Sequence, residues 1–315
     1  VVTGALGHIG SKLIRHLPGA LGDVEVVMLD NLSTQRYASL FDLPEEGRYR
    51  FLEEDVLDCE LPRLFEGAEA VFHLAAITDA EGSFANRERV EQTNCGLTQR
   101  VAEACAETGT PMCFASSTSV YGTQQQTVDE DCPACDLKPQ SPYAQTKLRE
   151  EDLLASIGQQ QELKYVVCRF GTIFGPSPGM RFHTAVNKFC WQAVMGQPLT
   201  VWRTALHQVR PYLDLDDAVR AMIHIAQNQL FNRCRYNVLT VNRTVQDIIE
   251  VIKGRIPDVN VTFVNSPIMN QLSYEVLSKR FVATGFTFRG SLERGIEQTI
   301  SLLRGSASAE HRESQ

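Results

Sequence analysis

Tyr143 and Lys147 stand four residues apart in the run Ser141-Pro-Tyr-Ala-Gln-Thr-Lys147. Positions i and i+4 share one helix face, so a phenol and an ammonium can enter one site. A free phenol ionises near pH ~10, too high for a base at neutral pH. A neighbouring ammonium favours the phenolate and makes a proton acceptor of it. An amphipathic helix with a half-buried tyrosine and a snorkelling lysine has the same spacing. Of the eight tyrosines, however, only Tyr143 has a lysine four residues on. Ser116-Ser117-Thr118-Ser119 follows the apolar run 112–115, which puts hydroxyls at the carboxyl end of a strand. From there Ser117 can hydrogen-bond a reacting oxygen and hold it in line.

A second cluster carries phosphate chemistry. Thr3-Gly4-Ala5-Leu6-Gly7-His8-Ile9-Gly10 follows a Val-Val strand end and precedes the helical run 11–17. Glycines at this spacing allow a tight turn and let backbone approach a pyrophosphate, which then sits on the helix N-terminus. Asp30 stands twenty residues beyond Gly10, at the end of the next strand. A carboxylate there can accept both ribose hydroxyls of NAD and repels the extra phosphate of NADP. With NAD, the Tyr143–Lys147 pair becomes machinery for hydride transfer at a hydroxyl carbon, the positive nicotinamide further favouring the phenolate.

The elements that must position these residues follow a βα alternation. Residues 24–29, 70–74, 112–115 and 165–168 read as strands. Residues 90–108 read as a helix ending at Gly109, and Ser141-Pro142 opens another. The expectation is an α/β fold: a Rossmann-type doubly wound parallel sheet with a smaller C-terminal substrate-binding domain. Residues 1–170, plus about 212–255, are assigned to the NAD-binding part. Residues 171–211 and 256–304 are assigned to the substrate-binding part, and 305–315 to a disordered tail. Helices are expected at 188–194, 218–227 and 245–253, a strand at 236–239, and no internal repeat is present.

Composition narrows the partners. A net charge of −8 argues against general affinity for nucleic acid or anionic membrane, so phosphates must be met locally. No stretch reaches the ~20 apolar residues of a membrane span, and a cytoplasmic setting is the default. The chain opens on Val1-Val2, so its first strand is expected to be clipped. Its nine cysteines are scattered; even Cys132-Pro-Ala-Cys135 lacks a second pair at zinc spacing, and no metal site is expected.

Taken together, these segments resemble the extended short-chain dehydrogenase/reductase family, and within it the nucleotide-sugar epimerases and dehydratases. The resemblance adds Asp55-Val56, Leu74-Ala75-Ala76, Asn94, and the runs around Phe170 and Arg210 to the segments above. It implies catalysis by Ser117, Tyr143 and Lys147. It implies NAD contacts from Gly4, Gly7, His8, Ile9, Gly10, Asp30, Asn31 and Ser33. Further contacts would come from Asp55, Val56, Leu74, Ala75, Ala76, Asn94 and Phe170, with Tyr143 and Lys147. Thr78, Thr118, Thr172 and Arg210 are implied on the substrate side, and a homodimer joined through paired helices near 84–108 and 143–156.

The family's dehydratases place an Asp-Glu pair after the catalytic hydroxyl residue, and its sugar-acid decarboxylases a Glu; here Thr118 and Ser119 occupy those positions. Hydroxyls do not replace a titrating carboxyl, so the resemblance points to hydride and proton exchange as in a 4-epimerase. Two departures concern the diphosphate grip. Pro211 follows Arg210 where the family has Asp, and Asn270-Gln-Leu-Ser273 stands where an Arg-x-Gly-Asp signature is frequent. These leave open a net dehydrogenase acting on a non-nucleotide alcohol, an idle NAD-binding protein, and an Arg210 that merely pairs with the aspartates after it.

Overall fold

Short β-rich apolar runs separated by amphipathic helices can bury both faces of a sheet only if the strands run parallel. The computed structural model, which describes residues 1–80, 82–122, 126–265 and 273–306, has this form. Seven parallel strands make one sheet. From one edge to the other they are Arg235–Val238, Tyr165–Phe170, Met112–Ser117, Val71–His73, Val2–Thr3, Glu25–Asp30 and Arg48–Glu53. The chain therefore winds outward in two directions from Val2–Thr3, and the reversal lies between that strand and Val71–His73.

Helix His8–Leu21 covers one face of the sheet together with Leu215–Gln227, and their apolar sides share a core with Val26, Met28, Val166 and Val238. On the other face, Arg87–Thr108 and Pro142–Gln160 pack over Val71, Met112, Phe114 and Val167. A second core lies outside the sheet. There Ala185–Val194, Val245–Lys253 and Leu292–Leu303 bury Phe189, Ile248 and Ile296 against Leu199 and Val201.

The expected strands and helices are present, some longer than expected, the strand at 70–74 shortened to Val71–His73, and the strands at 24–29 and 236–239 shifted by one residue. The run expected to stop at residue 115 continues through Ser117, because the buried Ser116 hydroxyl finds a partner in Glu151 at 2.6 Å. Strand Arg48–Glu53 was not anticipated: it is an edge strand of alternating charged and apolar residues, which reads as polar in sequence. Helix Val245–Lys253, grouped above with the NAD-binding part, turns its buried face into the second core instead. A capping box between Thr244 and Asp247 starts it. Asn270, Gln271 and Leu272, and the tail beyond residue 306, lie outside the described residues. Among the described residues no helix is long and apolar enough to cross a membrane.

Asp217 ties the last part of the chain to this frame. It is fully buried and accepts from Arg289 N at 2.9 Å, Gly290 N at 2.8 Å, Thr240 Oγ1 at 2.9 Å and Arg220 at 2.7 Å. Asp217→Ala strips all four donors of their acceptor. It is expected to lower unfolding free energy by ~3 kcal/mol or more, read as the urea midpoint at constant m. A loss below ~1 kcal/mol would mean that the segment around Arg289 is held by other contacts.

Candidate active site

In a doubly wound sheet, loops leave the carboxyl ends in opposite directions at the reversal point and open a crevice there. A cavity of about 1050 Å³ occupies this position, and the glycine turn, Asp30, Ser117, Tyr143 and Lys147 all line it.

The glycine turn is shaped by close approach. Gly4 has φ +65°, and a Cβ on it would stand 2.6 Å from Ala75 N. A Cβ on Gly10 would meet the Gly4 carbonyl at 2.4 Å. Helix His8–Leu21 starts at Gly7 with no side-chain cap, which leaves its first amides without the partner a capping serine would supply. The Arg36 guanidinium stands 3.8 Å from where a Gly7 Cβ would be.

Asp30 has one oxygen on Leu6 N and the other on Leu32 N, both at 3.0 Å, so its carboxylate is aligned by backbone before any ligand arrives. The Asn31 amide donates to Asp55 at 2.7 Å and accepts from Ser33 N at 3.0 Å. Val56, Leu74, Ala75, Ala76 and Ile9 complete this side of the wall.

Two residues expected at the cofactor also have structural employment, although His8 lines the cavity. The His8 ring donates from Nε2 to the Gly175 carbonyl at 2.8 Å, and burial pushes its pKa down to about 4. Ser177 Oγ bonds the His8 carbonyl at 2.8 Å, and Gly179 N bonds Ser11 Oγ at 3.0 Å, so residues 175–179 clamp the turn. Asn94 is fully buried and off the cavity wall; its amide both accepts from and donates to the Ile77 backbone, at 2.8 and 3.0 Å. It shapes the loop that carries Thr78.

Ser117 ends its strand and accepts from Ser119 N at 3.2 Å and Ser119 Oγ at 2.9 Å. Thr118 is buried, with its hydroxyl on the Phe170 carbonyl at 3.2 Å. The helix bearing Tyr143 begins as its sequence dictates: Ser141 Oγ caps Ala144 N at 3.1 Å and Pro142 fills the first turn. Ser83 Oγ holds Tyr143 N at 3.2 Å. Burial pushes the Tyr143 phenol above its usual value; Lys147 and Arg181 oppose this and Glu150 reinforces it. The lysine thus acts in the expected direction, but here burial outweighs it.

Lys147 is itself buried, with Nζ 3.2 Å from Glu150 Oε2 and 4.6 Å from the centre of the Phe114 ring. The adjacent Glu151 binds Arg169 through both oxygens at 2.9 and 2.7 Å, and also Arg235 at 3.0 Å. Neither carboxylate was singled out in the sequence, although positions three and four beyond Lys147 share its helix face. Arg181 was missed too. It bonds Thr78 Oγ1, and burial together with Arg36 lowers its pKa to about 10.

Phe170, Thr172 and Arg210 lie on the wall toward the second core. Arg210 lies 5.3 Å over the Tyr274 ring and donates to Gln208 at 3.0 Å. Of the aspartates after it, Asp214 caps helix Leu215–Gln227 through Asp216 N, Asp216 pairs with Lys12, and Asp217 is engaged as described. Ser273 Oγ accepts from Val209 N at 2.9 Å.

Residues 1–238 match the sequence model of the NAD dependent epimerase/dehydratase family. The chain is 34% identical over 233 residues to an uncharacterised UDP-glucose epimerase of Bacillus subtilis, covering 70% of each. It is 27% identical to the UDP-glucose 4-epimerase of Mycolicibacterium smegmatis over 98% of this chain and 99% of that one. It spans about half (46%) of the trifunctional UDP-glucose 4,6-dehydratase of Arabidopsis thaliana that it also matches. Among solved structures it is similar to the UDP-glucuronic acid 4-epimerase of Bacillus cereus. The TM-score there is 0.88, with 25% identity over 97% of this chain and 98% of that chain.

The two buried rings make stability depend on pH. Burial lowers His8 to about 4, and burial with Lys147 lowers His73 to about 3, both from an unfolded value of 6.5. Between 6.5 and these values the unfolded chain binds protons that the folded chain refuses, so stability falls as pH falls. The urea midpoint is expected to drop from pH 7 toward pH ~4 with a slope approaching two protons. A slope of about one proton would mean that one ring titrates normally in the folded protein, and a flat profile that both do.

Proposed function

The chain belongs to the NAD dependent epimerase/dehydratase family, and we propose that it epimerises a nucleotide sugar at C4, through a transient keto sugar, with NAD kept bound. The sugar is UDP-linked, as in the relatives. One observation carries the reading. Beside Tyr143 and Lys147 the positions after Ser117 hold only hydroxyls, and Thr118 has given its own to the Phe170 carbonyl. Water elimination and decarboxylation need a titrating carboxyl at this place; a site without one is left with proton and hydride exchange.

The residues present fit NAD. The Gly4 and Gly10 contacts leave no room for a side chain in the turn, and the uncapped start of His8–Leu21 suits a diphosphate. Asp30, already aligned, retains lone pairs for ribose hydroxyls. When bound, NAD supplies the hydride acceptor and donor. The protein supplies the proton path. Tyr143 as phenolate takes the proton of the C4 hydroxyl and, as phenol, gives it back to the same oxygen after the sugar has turned over. Ser117 hydrogen-bonds that oxygen throughout, and Lys147 favours the phenolate. A cavity of about 1050 Å³ leaves space for the ring to present its other face. Thr78, Thr172 and Arg210 would meet the sugar and its diphosphate. A substrate-binding part built mainly on the second core, a homodimer across Arg87–Thr108 and Pro142–Gln160, and a cytoplasmic setting belong to the same proposal.

The test is incubation with a panel of UDP-sugars without added cofactor, with products read by mass and proton NMR. A new isomer of unchanged mass is the expected result. Tyr143→Phe should bind NAD nearly as the parent does and lose at least ~10³ in kcat. If the panel is inert and NADH accumulates with simple alcohols, the protein is a net dehydrogenase instead.

A further inference from the structure

Lys147 is part of a longer buried row. Its Nζ lies 3.3 Å from Oε1 and 3.2 Å from Oε2 of Glu150, and Glu150 is fully buried. Oε1 also accepts from the Thr98 hydroxyl at 2.7 Å. That hydroxyl has a single proton, so toward His73 Nε2, at 3.2 Å, it can only accept. His73 therefore carries its proton on Nε2, and its Nδ1 accepts from the Thr3 hydroxyl at 2.8 Å. Thr3 Oγ1 in turn accepts from Ala75 N at 3.3 Å, in the turn that packs against Gly4.

Every donor in this row points toward Glu150. The far oxygen of Glu150 faces an ammonium, which has donors only. Oε1 thus accepts from both Lys147 and Thr98, while Oε2 lies 3.2 Å from the ammonium and has no hydrogen bond of its own, so Glu150 is held against Lys147 by the row behind it. Its negative charge sits one turn from the lysine that Tyr143 relies on.

We propose that Glu150 is a positioning residue for Tyr143: its buried carboxylate fixes Lys147 and offsets the ammonium's field, so that the phenol can both take and return a proton. This rests on the epimerase reading, in which one oxygen must serve in both directions. A phenol acidified by an unopposed ammonium is a weaker base on the outward step, and one with no ammonium is a weaker acid on the return. Among the described residues, the other charged groups around Tyr143 are few. Arg181 faces it from the loop after Thr172–Phe174, with Asp79, Arg36 and His183 around that guanidinium. Cys95 and the neutral His73 face the Lys147–Glu150 pair from the neighbouring helix and strand. None of them holds Lys147.

The ultraviolet absorbance of tyrosinate, taken as the difference between a protein and its Tyr143→Phe counterpart, reads this phenol directly. It is measured across pH on the full chain with saturating NAD and no sugar. Glu150→Gln is expected to move the titration down by about one pH unit or more. Glu150→Asp, whose carboxylate draws back by one methylene, moves it the same way by less and lowers kcat about tenfold or more with KM little changed. A Tyr143 titration unmoved in folded Glu150→Gln overturns the proposal, as that result leaves the carboxylate a structural counter-ion. Should that variant not fold, a Glu150→Asp protein with parental titration and kcat overturns it equally. Absence of epimerase activity in the parent would sink the reading of function, while the titration still judges Glu150.

Discussion

Two adjacent carboxylates, Glu150 and Glu151, are fully buried on one helix, and much of the geometry of the candidate site follows from how that cost is met. An isolated buried carboxylate costs several kcal/mol, so each needs a cation and hydrogen bonds of its own. Glu151 takes Arg169 and Arg235 from two neighbouring strands and Ser116 from a third. Glu150 takes Lys147 and Thr98. Helix Pro142–Gln160 can thus neither slide nor rotate against the sheet without uncovering a charge. That restraint presents Tyr143 and Lys147 to the cavity at the end of the strand carrying Ser117.

The same restraint explains a feature that would otherwise look adverse. Burial makes Tyr143 a poorer acid, and Glu150 adds to this. Lys147 opposes burial and Glu150 adds to it; behind the sheet, with little solvent to screen them, both charges act on the phenol more strongly than they would in water. A reversible proton transfer calls for balance between these influences, not for the largest shift in one direction.

The cavity reaches from the sheet toward the second core, and polar contacts tie residues 175–179 to the glycine turn. His8 bonds Gly175, Ser177 bonds the His8 carbonyl, and Gly179 sits so close to the Leu6 and Gly7 carbonyls that a Cβ added to it would stand 2.2 Å from the Leu6 oxygen. These contacts join the glycine turn to the loop carrying Arg181. The glycine turn and the part of the cavity wall that carries Arg181 are therefore one structure, and a substitution in residues 175–179 would be felt on both sides.

Periodicity made the parallel sheet legible, the glycine spacing made legible a tight turn that lines the cavity together with Asp30, and the i, i+4 rule placed Tyr143 and Lys147 on one helix, where both line the same cavity. Each of these is a local property, carried by contacts within one element or one turn. Edge strand Arg48–Glu53 escaped because a strand exposed on one side reads as polar loop. His8 and Asn94 were read by position in a motif, yet their partners, Gly175 and Ile77, are fixed only when distant loops pack. Glu150, Thr98 and His73 stand on two helices and a strand, and nothing in the sequence brings them together. The residue types capable of the chemistry were thus determined by the sequence alone. The direction of each proton in the row behind them was decided by tertiary structure, because a buried donor must take whatever acceptor the packing puts beside it.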